Sequence, residues 1–397
     1  MKKYFAAGIF IVLLLTVITH VMAETEKHTE KPTVEARGAI LVDLESGRIL
    51  WGKNQDDELA MASTTKIMTA MLCLELGNLN DIVTVSRRAA VAPRVKMYLQ
   101  EGEKIKLELL LYALMLQSSN DAAVAIAEHI SGTVEEFCAL MTAKAKELGA
   151  ENTVFETPNG LDAGDHHSTA SDLAIITRYA MKNDKFVKII NTHEYSGQSS
   201  RRDYHIYNKN RLLSEYRGAN GVKTGFTGKA GYCFVGSAER DDLSLISVVL
   251  ASGWGGRGRE QRWNDTKEIL NYGFNNYKNE TIVVEGDTAG NLIVERSKTT
   301  NITLVFSEKL RLPITEEEKG NLRMERDLPS QLRAPITAGN VVGTCTIYAG
   351  EEKLAEIDVI TTANAERHDL KTSMEKVLAS LLEIFTSGKV DVVLPEF

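Results

Sequence analysis

The chain has 397 residues, 43% hydrophobic and 25% charged, which places it among globular proteins and excludes a disordered tail or a collagen-like repeat. Its formal charge of −8, from 46 basic and 54 acidic residues, argues against a nucleic-acid binder. At roughly 150 residues per domain the length suggests two or three domains. Cys73, Cys138, Cys233 and Cys345 are scattered without a Cys-x-x-Cys spacing, so they indicate neither a zinc site nor a disulfide framework.

Lys2 and Lys3 precede an apolar run from Phe5 to Ile18, and Val21-Met22-Ala23 supplies a signal-peptidase site. Residues 1–23 therefore read as a secretory signal peptide, the apolar run being shorter than the roughly 20 residues that cross a bilayer. Export would place the mature chain in an oxidising compartment. Residues 24–35 form a polar leader. The stretch Ala39-Ile40-Leu41-Val42 is the first strand, Asp43 to Gly47 a turn, and Ile49-Leu50-Trp51 its antiparallel return. From Ser63 the apolar spacing turns helical as far as Leu76, with Gly77 available to end the helix. Leu107 to Leu116 is apolar nearly all round, the mark of a helix buried in the middle of a domain. Helices follow over Asp121 to Ile130 with Asn120 as cap, over Val134 to Leu148, and from Asp172 with Ser171 as cap. Cys233 to Ala238 and Leu243 to Leu250 are strands joined by a charged turn, and Thr266 to Tyr277 is helical.

These elements predict an α/β (α+β) domain over 36–280, an antiparallel sheet flanked by helices. A small all-β domain over 281–363 follows from the alternation at Ile302, Leu304 and Phe306 and at Ala355, Ile357 and Val359. Within the tail 364–397, Leu370 to Phe385 carries an apolar stripe at helical spacing. That stripe suits a membrane surface, with Leu381, Leu382, Ile384 and Phe385 in the interface, or packing on the β domain or a partner.

Ser63-Thr64-Thr65-Lys66 sets a hydroxyl and an amine one helical turn apart at a helix start. A serine becomes a nucleophile when a nearby base takes its proton, and a lysine serves if burial or another cation lowers its pKa. Taken alone the spacing is weak. It recurs at Ser373 and Lys376, and a serine at a helix start is most simply a cap. Ser118-Ser119-Asn120 adds polar groups at the end of the apolar helix, where they must be paired or line a cleft. Gly221-Val222-Lys223-Thr224-Gly225 then places a lysine and a threonine on a strand, beside a glycine that permits close approach.

In that order, Ser-x-x-Lys, Ser-x-Asn and Lys-Thr-Gly form the motif set of penicillin-binding proteins and β-lactamases. With Pro158-Asn159-Gly160-Leu161-Asp162, His167-Ser168-Thr169-Ala170 and Asn271-Tyr272-Gly273-Phe274, the chain resembles the low-molecular-mass penicillin-binding proteins. Within these it resembles the D-alanyl-D-alanine carboxypeptidases of serine peptidase family S11, over nearly the whole mature length. The resemblance implies that Ser63 is the acylated nucleophile, Lys66 its base and Ser118 a proton relay toward the leaving amine. Asn120 would hold the substrate backbone or Lys66. Lys223, Thr224 and Arg262 would bind the terminal carboxylate of a peptidoglycan stem peptide, and Gly225 would keep the strand edge clear. Backbone N–H groups of Ser63 and Phe226 would form the oxyanion hole, Phe226 standing where some members have histidine. β-Lactams would be covalent inhibitors, no metal or organic cofactor is required, and the enzyme would work in the bacterial cell envelope outside the cytoplasmic membrane.

Three other readings compete. A Ser-His-Asp hydrolase could draw on His166 or His167 with Asp162 or Asp172, but the chain has no Gly-x-Ser-x-Gly elbow. A class A β-lactamase would need a Glu-x-x-Leu-Asn after Ser118, which is missing. An idle wall-peptide-binding scaffold would not need both Ser63 and Lys66.

Overall fold

The computed structural model describes residues 30–368 and 370–387, so the predicted signal peptide lies outside them. The chain divides into two compact units, one ending at Lys278 and the other beginning at Asn279.

In the first unit, strands β1 (Gly38–Asp43) and β2 (Ile49–Lys53) form the opening hairpin. A 3-10 turn, Ala62–Thr65, leads into helix α1 (Lys66–Leu76). Helix α2 (Leu107–Tyr112) runs on into a π-helical turn, Ala113–Gln117, which ends at Ser118 in the left-handed region with φ of 66°. Helices α3 (Asn120–Ser131), α4 (Val134–Glu147) and α5 (Ala170–Met181) follow. The chain then returns as β3 (Ala219–Thr227), β4 (Gly231–Arg240) and β5 (Leu243–Leu250), and closes with α6 (Gly255–Asn276). These strands make one antiparallel five-stranded sheet in the order β2-β1-β5-β4-β3.

Both faces of that sheet are covered. Ile40 and Val42, Cys233 and Val235, and Ile246, Val248 and Leu250 pack into one cluster with α1 to α5. The alternate residues Ala39 and Leu41, Phe234 and Ala238, and Leu245 and Val249 pack into a second with Trp263, Ile269 and Leu270 of α6. Side chains alternate across a strand, so a sheet buried on both sides needs an almost unbroken apolar strand, as Leu243–Leu250 is. Being last in the sheet order, β3 has a free edge for the site.

Several local expectations give way to packing. Thr169, not Ser171, caps α5, accepting from the Asp172 amide at 3.0 Å. Ser119, not Asn120, precedes α3, and the Asn120 side chain makes no cap. Helix α6 begins at Gly255, well before Thr266, across a glycine-rich stretch that propensity alone assigns to loop. Gly258 packs there so closely that an added Cβ would lie 2.4 Å from the Gly253 carbonyl carbon.

The second unit holds β6 (Thr288–Glu295), β7 (Asn301–Phe306), β8 (Leu322–Asp327), β9 (Leu332–Arg333), β10 (Val341–Ala349) and β11 (Glu352–Thr361). They form a six-stranded sheet in the order β8-β10-β11-β7-β6-β9, cored by Ile302, Leu304, Phe306, Ile357 and Val359. Helix α7 (Leu370–Ser387) ends the described chain.

The start of the first unit is tied to α6 by one buried carboxylate. Asp265 accepts from the amides of Glu35 and Ala36 at 3.2 and 2.9 Å and from Gln261 Nε2 at 2.8 Å. Asp265→Ala leaves both amides unpaired, which costs about 2 kcal/mol. We expect a Tm lower by about 5 °C in a thermal melt; an unchanged Tm would show that water replaces the carboxylate.

Candidate active site

Ser63 sits in the 3-10 turn because its neighbours anchor that turn from within. Thr64 Oγ1 donates to the Met61 carbonyl at 2.7 Å and Thr65 Oγ1 to the Ala62 carbonyl at 2.8 Å. Lys66 opens α1 as the next residue, so its amine folds back one turn and places Nζ 2.8 Å from Ser63 Oγ. Lys66 is fully buried, which is rare for lysine. Its amine has two further acceptors, Asn120 Oδ1 at 2.8 Å and the Asn159 carbonyl at 2.5 Å. The Asn120 amide nitrogen donates to the Pro93 carbonyl at 3.1 Å, which fixes the flip and leaves Oδ1 facing Lys66.

That arrangement suits an uncharged amine. Two N–H bonds go to atoms that can only accept, and the lone pair is left for the one neighbour that can donate, the Ser63 hydroxyl. Burial pushes the Lys66 pKa well below its ordinary value, and the Lys223 and Lys209 charges push it further. The opposing charge is Asp121, whose buried carboxylate is occupied by the amides of Met97, Leu99 and Ala122 at 3.0 to 3.1 Å.

Lys223 is buried on β3 rather than on a solvated strand face, and its Nζ donates to the Thr224 carbonyl at 2.9 Å. Burial first, then Lys209 and Arg262, lowers its pKa to about 7. Thr224 is half-buried beside it. At Gly225 an added Cβ would sit 3.1 Å from both the Ala62 Cβ and the Ser63 nitrogen, so the strand edge and the nucleophile turn meet through a residue with no side chain. Phe226 is 47% exposed, its ring tilted against Tyr232 at 4.3 Å. The Arg262 guanidinium lies over the Tyr232 and Trp263 rings, at 5.0 and 4.5 Å from their centroids, and its buried Nε has no partner among the described residues.

The three motifs thus converge. Lys66 touches both Ser63 and Asn120, Lys223 acts on Lys66 through charge, and Arg262 acts in turn on Lys223. Ser118 is half-buried at the end of the π-helical turn and makes no hydrogen bond to Ser63, Lys66 or Lys223 among the described residues.

Sequence reasoning missed Lys209, the Asn159 carbonyl and the Gly160 approach. Lys209 follows an unforeseen hairpin, Glu194–Gln198 with Asp203–Tyr207, and its Nζ donates to the Gln117 carbonyl at 3.1 Å. Residue type gives no sign of a backbone acceptor. Pro158-Asn159-Gly160 did stand out as a motif, and its glycine has φ of 80° with an added Cβ only 1.9 Å from the Ala62 oxygen. Among the described residues no histidine reaches Ser63: its Oγ meets Lys66 Nζ and, at 3.3 Å, the Asn159 carbonyl, whereas His166 bonds Thr65. That geometry rules out the Ser-His-Asp reading.

Comparison with known proteins agrees with this chemistry. The D-alanyl-D-alanine carboxypeptidase family, peptidase S11, matches residues 25–253, and the C-terminal domain of penicillin-binding protein 5 matches 277–367. D-alanyl-D-alanine carboxypeptidase DacF of Bacillus subtilis is 31% identical over 95% of this chain and 98% of its own length. DacC of Escherichia coli is 33% identical over 86% and 87%. The solved structure of penicillin binding protein 5 from Haemophilus influenzae superposes with a TM-score of 0.75 at 28% identity, covering 85% of this chain and all of that one. The family match spanning most of the first unit, with relatives aligned end to end and the shared fold, establishes that the chain belongs to the D-alanyl-D-alanine carboxypeptidase family of serine peptidases.

Proposed function

We propose that this enzyme, a serine-type D-alanyl-D-alanine carboxypeptidase, removes the terminal D-alanine of peptidoglycan stem pentapeptides through an ester on Ser63. The observation that carries the reading is the buried Lys66 amine 2.8 Å from Ser63 Oγ. Ser63 Oγ attacks the carbonyl carbon of the penultimate D-alanine while Lys66 Nζ takes its proton. The backbone N–H groups of Ser63 and Phe226 stabilise the oxyanion, each worth about 3 to 4 kcal/mol in the transition state. The intermediate collapses, the C–N bond breaks, and the departing amine receives the proton from Lys66 by way of Ser118. Water then attacks the ester, Lys66 taking its proton, and Ser63 is released. Lys223, Thr224 and Arg262 hold the terminal carboxylate, while Asn120 positions Lys66. β-Lactams acylate the same serine.

The enzyme acts outside the cytoplasmic membrane, exported by residues 1–23 and held at the surface by α7. Met374, Val377, Leu378, Leu381 and Leu382 of that helix are each at least 43% exposed. None of the described helices is long and apolar enough to cross a membrane, so the contact is peripheral. The domains are those outlined above, with catalysis confined to the first.

Purified protein should release D-alanine from a diacylated Lys-D-Ala-D-Ala peptide and take up a fluorescent penicillin, and Ser63→Ala should lose both. Release that persists in Ser63→Ala would end the proposal. The charge on Lys223 sets an alkaline limit. With its pKa lowered to about 7, Lys223 loses its proton as pH rises through that value, and with it the attraction for the carboxylate. We expect kcat/KM to decline above about pH 7, and kcat to decline at higher pH because bound carboxylate raises the lysine pKa. A kcat/KM profile still rising at pH 10 would contradict this role. For the tail, the mature chain should co-sediment with phospholipid vesicles and a chain ending at residue 368 should not; equal sedimentation would remove the helix as an anchor.

A further inference from the structure

His166 is buried beneath the nucleophile turn, and the chemistry above makes no use of it. Its ring joins two parts of the site. The Glu156 amide donates to Nδ1 at 3.0 Å, so Nδ1 carries a lone pair and the proton of the neutral ring is on Nε2. Nε2 lies 2.9 Å from Thr65 Oγ1 and donates to it, and the Thr65 hydroxyl spends its own hydrogen on the Ala62 carbonyl at 2.8 Å. The donors therefore run in one direction, from the Glu156 amide through His166 and Thr65 to Ala62. Burial, the largest cause, lowers the His166 pKa to about 4, so the ring is neutral at physiological pH.

The end of that chain is a strained residue. Ala62 has φ of 49°, in the left-handed region that costs an ordinary residue roughly 1–2 kcal/mol. Its carbonyl belongs to the same peptide plane as the Ser63 N–H, and in a trans peptide the C=O and N–H point in opposite directions. Whatever fixes the direction of the Ala62 carbonyl therefore fixes the direction of the Ser63 N–H. Gly160 closes the other side, leaving no room for a Cβ beside that oxygen.

We propose that His166 and Thr65 are positioning residues which, through the Ala62 carbonyl, hold the Ala62–Ser63 peptide plane so that the Ser63 N–H faces the oxyanion. The inference rests on Ser63 being the acylated residue, which wild-type labelling and its loss in Ser63→Ala establish separately. The test is the second-order rate constant for acylation by a penicillin, together with kcat and KM on the peptide, in the full mature chain. Thr65→Val keeps the shape and removes the hydroxyl; it should slow acylation and lower kcat at least about tenfold with KM little changed, because the hole acts on the transition state alone. Thr65→Ser restores the hydroxyl and should recover most of the rate. His166→Gln, which can accept from Glu156 and donate to Thr65, should likewise exceed His166→Leu, and this second pair decides the matter if Thr65→Val does not fold. Equal rates for valine and serine at position 65, equal rates for glutamine and leucine at 166, or a rise in KM with kcat preserved would overturn the proposal.

Discussion

The structure depends on burying one lysine amine in the protein interior, where burial pushes its pKa well below the ordinary value. An ammonium removed from water without a counter-ion costs several kcal/mol, and the usual outcome is that the group sheds its proton. Among the described residues Lys66 has no carboxylate within hydrogen-bonding distance, only a serine, an amide oxygen and a backbone carbonyl. The acid that opposes this lowering, Asp121, has its own carboxylate engaged by three backbone amides. A closer acid would raise the Lys66 pKa back toward its ordinary value and remove the base that the proposed mechanism requires.

The remaining architecture brings distant segments together around that buried amine. Burying both faces of the sheet leaves the free edge of β3 as the place where a polar ligand can lie along the backbone. Close approach there requires missing side chains, and Gly225 and Gly160 supply them beside the Ala62–Ser63 peptide. The π-helical turn serves the same end. Inserting it after α2 swings the chain into a left-handed Ser118, so that Asn120, one residue into α3, points at Lys66 and not along its own helix.

Much of this was legible in the sequence because the decisive pair is local. Ser63 and Lys66 are one turn apart, and the covalent geometry of a helix start almost forces them together. The antiparallel sheet was legible from unbroken apolar strands, and the β-rich second unit from strict alternation. What could not be read arises from tertiary approach. Asn120 looked like a cap because asparagine before a helix usually is one, yet a buried amine is a more demanding partner than an exposed first-turn amide. Lys223 looked like a solvated strand lysine, and nothing in its neighbourhood announces that α6 and Lys209 surround it. The glycine-rich opening of α6 looked like a loop since glycine disfavours helix, but a helix anchored by buried Trp263 needs small residues where it crosses the Gly253 turn.

Two buried lysines with depressed pKa values are set apart by what surrounds them: Lys66 Nζ contacts Ser63 and Lys223 Nζ the Thr224 carbonyl. Lys66 falls well below its ordinary value and Lys223 to about 7. In the proposed mechanism the first serves as the base and the second supplies positive charge for the incoming carboxylate. Depression of Lys66 also matters after attack. A lysine with its ordinary pKa would keep the proton taken from Ser63 and strand the leaving amine as a poor anion. In this site burial and the Lys223 charge oppose the ammonium that forms, so passing the proton on to the departing amine relieves the repulsion that attack creates. In the proposed mechanism, the features that make Lys66 a weak base thus also make it an effective acid in the step that breaks the bond.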